Sequence, residues 1–385
     1  MSISKIEFIR QNGALGGEPA NEDGVSALLF IHATASPIPE TTLYSIQDLE
    51  DLGVTYQGGT ASWKSNLWYQ VNEYFKYSNY KLYLKVQKTV DNFDSIVDLK
   101  NFSNGEIKLY GVYNGAATFS TSQVTTLQTK MKLIESEDAP GVALYAAPIA
   151  NVGTQSSQDL RQLESNFVSV FIGDDFGGQA AEMRGASYSY VSQIGMSLGL
   201  LASIPVQQSL GLGSLNVIKD SNWVDPGFID GTSVKDYSRV QLDAIDTNHY
   251  NFLIKRTGSG GTFHNFDYTC DSDTSDFYNL ALNRVYNKAR RLLYAAYLPL
   301  INSNLAIDAA SGKLSTITIA QFQDTGNVAL TSMLRNLEIS GFKVSVDANQ
   351  PVLSTRRIEV AVDIVPLGFA KTVRIFLGYA LQLPA

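Results

Sequence analysis

The chain has 385 residues, 44% of them hydrophobic, and a formal net charge of −8 at pH 7; that length is long for one average domain and comfortable for two. The acidic balance excludes general nucleic-acid binding, which needs a basic surface, and the lone cysteine, Cys270, excludes an intrachain disulfide and allows folding in a reducing cytoplasm. No stretch approaches the ~18 consecutive apolar residues of a membrane span, and Met1 to Glu7 carry no apolar signal core, so the expectation is a chain made and kept soluble, without direct membrane insertion.

Charged residues make up 17%, below the ~25% usual in soluble domains, while Tyr (20) and Phe (18) are plentiful. Such a composition suits a protein that buries much of its outside against copies of itself; an ordinary mixed domain fits it equally.

In chain order, Ile3, Ile6, Phe8 and Ile9 predict a short extended arm, and Gly13, Gly16, Gly17 and Pro19 a flexible hinge after it. Residues 25–32 read as a buried strand. Residues 45–53 read as a short helix closed by Gly53. An aromatic helix is expected at about 61–77, with Trp63, Leu67, Val71 and Tyr74 on one face. Strands at 81–87 and 106–113, a helix at about 121–135, and strands at 142–148 and 166–173 follow. A helix at about 184–202 carries Val191, Ile194, Leu198 and Leu201. Strands alternating with helices imply a mostly parallel α/β sheet, placed at 23–200.

After Pro205 the texture changes to Gly-, Asp-, Asn- and Ser-rich sequence with short strands such as 252–255. Two helices are expected, at about 276–301 and at 327–338, the second closed by Gly341. Phe342, Val344 and Val346, then Ile358, Val360, Val362 and Ile364, alternate with polar residues as strands do. Beyond a second hinge at Pro366 and Gly368, the residues Val373, Ile375, Leu377, Tyr379, Leu381 and Leu383 form a long alternating run. No repeat of 20–50 residues is visible. A strand without a partner leaves N–H and C=O groups unpaired. Both terminal ribbons therefore either pair within the chain or are donated to neighbours, and spacing alone leaves both open.

Several segments resemble chemical sites. Gly195-Met196-Ser197-Leu198-Gly199 matches the G-x-S-x-G pattern, with His249 and His264 downstream. A nucleophile elbow needs a strand before the serine, whereas helical spacing runs through this pattern, so close helix packing is the expected use of Gly195 and Gly199. Asp271-Ser272-Asp273-Thr274-Ser275-Asp276 starts like a calcium loop, but Asp276 stands where glycine is needed and Leu282 where glutamate is; a turn with helix capping by Ser275 or Asp276 is expected. Arg256 to Gly261 lacks the Gly-Lys-Ser/Thr ending of a phosphate loop, and Gly211-Leu212-Gly213 lacks a third glycine; both read as turns. Three histidines and one cysteine, far apart, form no zinc signature. Asp174 and Asp175 are adjacent, so on a strand they point to opposite faces. No catalytic residue, cofactor or metal is expected.

At ~100° per residue, Arg284, Lys288 and Arg291 fall within roughly 60° of one another on the 276–301 helix. This stripe is either a solvated face or a docking strip for an acidic partner.

In order, these features resemble the contractile tail sheath family: phage tail sheaths, R-type pyocin sheaths and sheaths of related bacterial injection systems. Ser45 to Gly53 is similar to that family's early helix, Gly105 to Tyr113 to its central strand, and Asn283 to Arg291 to its basic helix. Gly341 to Val344, Val365 to Gly368 and Ala370 to Val373 are similar to its closing strands. The resemblance covers nearly the whole chain and is weakest over 206–280. It implies an N-terminal linker arm (1–22), an outer α/β domain (23–200), an inner α+β sheath domain (201–360) and a C-terminal strand arm (361–385), both arms being exchanged between neighbours. It also implies a helical homopolymer around an inner tube, with baseplate and terminator or cap proteins as further partners, and tube docking by Arg284, Lys288 and Arg291. Synthesis in a bacterial cytoplasm and incorporation into a tail or injection particle would follow. An α/β hydrolase using Ser197 and a surface adhesin or other tail component are the alternatives.

Overall fold

The structure is a computed structural model that describes residues 22–57, 62–155, 158–185, 190–309, 311–375 and 377. By compactness the chain divides into Met1–Arg291 and Leu292–Ala385. This division differs from the break expected near residue 200. The short strands beyond Pro205 bury Leu210, Trp223, Phe228, Tyr250, Phe252 and Leu253 in the same hydrophobic cluster as the upstream sheet, so texture changes there without a new core.

The first unit holds β1 (Ser26–Ile31), β2 (Ile38–Leu43), α1 (Ile46–Asp51), α2 (Trp63–Tyr77), β3 (Leu82–Gln87), α3 (Asp94–Phe102), β4 (Leu109–Asn114), α4 (Thr121–Ser136), β5 (Val142–Ala146) and α5 (Val152–Gln155). It continues through β6 (Val168–Val170), β7 (Gly173–Asp175), α6 (Gly178–Gly185), α7 (Ile194–Ser203), β8 (Pro226–Phe228), α8 (Arg239–Thr247), β9 (Leu253–Lys255), β10 (Thr262–His264) and α9 (Leu280–Tyr297), the last up to Arg291. A six-stranded sheet runs in the order β2-β3-β1-β4-β5-β6. Every pairing from β3 to β6 is parallel, and only β2 joins antiparallel, at the edge. The fold is thus mixed α and β with a parallel-rich sheet, and β1, β4 and β5 are buried along their whole length, as central parallel strands covered on both faces must be.

Local signals explain several boundaries. Ser45 with Asp48, and Ser120 with Gln123, form reciprocal capping boxes at the starts of α1 and α4. Gly53 follows α1 at φ 75°, a conformation glycine takes without strain. The single helix expected over 184–202 is instead split between α6 and α7. The N–H groups of Val191 and Ser192 donate to the Asp174 carboxylate at 3.1–3.2 Å, and Ser192 has φ 68°, so this backbone leaves the helical path. Likewise α9 starts at Leu280, and Asn279, not Ser275 or Asp276, caps it by accepting the Leu282 N–H at 2.9 Å.

The second unit holds α10 (Thr316–Arg335), β11 (Ile339–Val346), α11 (Val352–Thr355) and β12 (Val360–Pro366). Its core is small: Leu314, Phe322, Val346 and Val352, with Tyr297, Ile307, Ile319 and Val360 packed around them. α10 begins eleven residues before the expected start at 327. The β-branched run from Thr316 to Ile319 and the internal Gly326 hide it, because both lower helix propensity. Packing overrides propensity: a Cβ at Gly326 would meet the Tyr297 hydroxyl at 2.6 Å and Val344 at 3.0 Å. Gly341 does not close this helix. Asn336 caps it, and Gly341 lies in β11 at a register shift against β12.

Candidate functional site

β11 and β12 pair antiparallel from Ile339↔Pro366 to Val346↔Val360. They form a sheet of two strands, and neither outer edge is paired with another strand among the described residues. Val344 and Val346 are buried and Val360, Val362 and Ile364 half-buried, while Lys343, Ala361, Asp363 and Val365 are exposed. Two strands alone are marginal in water, and an open edge is a template for another strand.

The C-terminal arm is expected from 361, but its first residues do not stand apart from the chain's own sheet. Residues 361–366 already belong to β12 and pair with β11 of the same chain. After Pro366 and Gly368 no strand forms among the described residues, and the long strand expected from Val373 is not present there. Val373, Ile375 and Leu377 are 75%, 78% and 95% exposed. Spaced by two, they would share one face of a strand. Tyr379 and Leu381 lie outside the described residues, as do Ile3, Ile6, Phe8 and Ile9 of the N-terminal arm and the hinge residues Gly13, Gly16 and Gly17.

The basic stripe of α9 does not lie on an open face. Arg284 is 4% exposed, and its guanidinium donates to the carbonyls of Ile204 at 2.9 Å and Pro205 at 3.3 Å. Lys288 Nζ is 2.7 Å from Asp23 Oδ2, and Arg291 donates to Asp23 Oδ1. The helical spacing that groups three cations holds, but they are directed inward, onto carbonyls and one carboxylate. Asp23 is the residue that sequence reasoning missed. It lies 265 and 268 positions from its partners, and only its place next to the expected N-terminal arm singles it out.

The segments that resemble chemical sites are tied into the packing of the first unit. Ser197 lies inside α7, fully buried, with its Oγ 3.1 Å from His264 Nε2. Burial pushes the His264 imidazole down to about 3, so it is neutral at physiological pH, and its Nδ1 has no hydrogen-bond partner among the described residues. A catalytic pair needs an accessible nucleophile and a base oriented by a third group; this pair has neither. Gly195 and Gly199 meet the backbone of α2 at the Gln70 and Tyr74 carbonyls. In the calcium-like segment, Asp271 accepts from Ser275 Oγ at 2.7 Å, and Asp273 is held by His249 at 2.9 Å and Arg161 at 3.2 Å. Among the described residues no His/Cys/Asp/Glu group is arranged to hold a metal ion, and no helix is long and apolar enough to cross a membrane. Asp174 pairs with Arg184, and Asp175 accepts from the Tyr69 hydroxyl at 2.8 Å. Both carboxyls are buried supports of the first unit.

Solved structures share this fold. The helical sheath of the anti-feeding prophage in its contracted state matches with a TM-score of 0.65 at 13% identity, over 99% of this chain and 100% of that one. The 6-fold symmetrised baseplate of the same particle matches at 0.63 and 13%, and its baseplate in the contracted state at 0.57 and 11%, each over 99% of this chain and 100% of the other. At such identities the likeness is one of fold. No curated protein sequence matches the chain. The family model of the DUF2586 N-terminal domain matches residues 3–253 and that of the DUF2586 C-terminal domain residues 276–384. Taken in that order the two domains account for most of the sequence, and the chain belongs to the DUF2586 family.

Proposed function

We propose that this protein is a structural subunit of a contractile, phage-tail-like injection particle, polymerising as a helical sheath around an inner tube and contracting to drive that tube through a target envelope. The observation that carries the reading is the β11–β12 pair, open along both outer edges among the described residues, in the same unit as a C-terminal segment whose alternate residues are apolar and exposed. Donated strands complete such a sheet with main-chain hydrogen bonds and side-chain pockets together. In this proposal the donors are residues 1–22 of one neighbour and the segment after Pro366 of another. Residues 23–200 present the outward surface and 201–360 the tube-facing one, so the first unit, which runs on to Arg291 around one shared core, contributes to both. Head-to-tail contacts of this kind need not close, so they build a helix of subunits. Hinges at Gly13, Gly16, Gly17 and Gly368 let arms stay paired while bodies re-stack between two packings. The other partners are the tube protein, a baseplate and a terminator or cap.

The fold shared with sheath and baseplate structures supports this reading over a hydrolase, and the buried Ser197 weighs the same way. The likeness to the baseplate structures favours one second reading, a sheath-like subunit fixed at the baseplate end. Negative-stain electron microscopy of the purified protein tests both. Hollow striated cylinders support the sheath, isolated rings support the baseplate reading, and monodisperse monomers at all concentrations, with and without a tube, would remove both.

A further inference from the structure

We infer that Asp23 is a positioning residue for assembly: its carboxylate, gripped by Lys288 and Arg291 of α9, fixes the direction in which residues 1–22 leave the first unit. The inference rests on the donated-arm reading above and deepens it.

Asp23 lies on a single 3₁₀ turn, Glu22–Gly24, just before β1. It is 7% exposed, with Lys288 on one carboxylate oxygen and Arg291 on the other. Lys288 and Arg291 are three residues apart on α9, close to one helical turn, so a single carboxylate bridges both. The next residue, Gly24, is packed so closely that a Cβ would meet the Tyr80 ring, and the Ala202 carbonyl oxygen at 2.7 Å. The following carbonyl, of Val25, accepts the Lys108 N–H at 2.9 Å. Ion pairs, ring contact and sheet hydrogen bond thus immobilise three consecutive residues where the arm begins.

The first unit already has a large core, and a buried ion pair adds little net stability to it because desolvation offsets the attraction. A partly exposed pair would be interchangeable, whereas a buried carboxylate with two cations specifies one geometry and strongly penalises loss of one partner. A donated strand needs such a geometry. A slip of one residue turns every side chain to the wrong face, and a glycine hinge supplies reach without direction. The same contacts account for two members of the basic stripe as internal anchors.

The test uses the full chain with Asp23→Asn, the charge swap Asp23→Arg with Arg291→Asp, Lys288→Met, and a deletion of residues 1–12. Polymer yield by sedimentation and microscopy, hydrogen exchange at amides 24–26, and thermal melting are measured for each. Asp23→Asn is expected to lower polymer yield about tenfold and to speed exchange at 24–26 while the strands 82–87 and 109–114 stay protected. The swap restores one ion pair but sets the new arginine beside Lys288, so it is expected to recover part of both. Wild-type polymer yield from a folded Asp23→Asn chain overturns the inference, as does a swap that restores melting and protection but not assembly. If Asp23→Asn does not fold, Lys288→Met, which keeps one ion pair, decides: a severalfold loss of polymer supports the inference and an unchanged yield overturns it. Unchanged polymer from the 1–12 deletion overturns the arm reading itself, whatever Asp23 does.

Discussion

Gly199 of α7 lies directly against the Tyr74 carbonyl oxygen of α2: a Cβ built at this glycine would be 2.5 Å from that oxygen. One turn earlier, Gly195 meets the Gln70 carbonyl in the same way, and its N–H donates to Gln70 Oε1 at 2.7 Å. The two helices are therefore held at backbone contact, and the obstacle to any side chain is a main-chain oxygen that no rotamer change can move. Gly199→Ala gains about 1 kcal/mol of helix propensity but must push the helices apart, and overpacking of this kind costs about 1–3 kcal/mol. We expect a net loss of stability in urea unfolding for Gly199→Ala and failure to fold for Gly199→Leu. A stabilised alanine variant would show that the glycine is not there for packing.

Asp175 gives the fold a pH dependence of unusual sign. Burial pushes its carboxyl up to about 7 from 3.8, even though the Tyr69 hydroxyl and the Gly177 N–H both donate to it. Asp267, buried with Ser209 as its partner, is pushed up to about 6. A carboxyl with a raised folded-state pKa holds more protons folded than unfolded between the two values. Its contribution is complete below about 4 and is lost as pH rises to about 7. At 1.36 kcal/mol per unit, Asp175 contributes a swing of about 4 kcal/mol at most. Depressed carboxyls such as Asp159 act in the opposite direction, so the informative quantity is a difference. Asp175→Asn is expected to gain stability relative to wild type at pH 8 compared with pH 5. Parallel stability profiles for the two proteins across that range would remove the assignment.

The sequence made the parallel-rich sheet legible because its strands are short apolar runs separated by helices with recognisable caps. β1, β3, β4 and β5 appear within a few residues of their expected places. It concealed elements whose backbone answers to distant partners. The break before α7 depends on the Asp174 carboxylate, which lies 17 residues upstream, and the first half of α10 depends on Tyr297 and Val344 closing around Gly326. The basic stripe was legible as a periodicity, but periodicity cannot say whether a face is solvated. Asp23 decides that, through ion pairs spanning more than 260 residues.

Ser197 and His264 provide a test of chemical inertness. The hydroxyl is the His264 Nε2 partner at 3.1 Å, and both side chains are fully buried. Ser197→Ala leaves the imidazole without that bond in the core, at a cost of about 1–3 kcal/mol, so the variant should unfold at lower urea. Hydrolysis of an activated ester by wild type and variant should be the same slow background. A loss of turnover with Ser197→Ala, in protein that remains folded, would revive the hydrolase reading.

The C-terminal segment separates folding from assembly most directly. Pro366 is the last residue of β12 and pairs with Ile339, and a Cβ at Gly368 would touch nothing within 4 Å. Ending the chain at Leu367 should therefore leave both units folded, with a melting temperature near that of wild type. What it removes is Val373, Ile375 and Leu377, exposed apolar side chains that water disfavours unless a partner covers them. Strand addition seats alternate side chains in pockets, so a charge at one such position blocks docking without touching the fold. We expect the truncated chain to form no polymer, and Ile375→Asp to lower polymer yield about tenfold with unchanged melting. If both variants form cylinders at wild-type yield, the edges of β11 and β12 are completed by something other than this segment, and the exchange must be sought at the N-terminal arm alone.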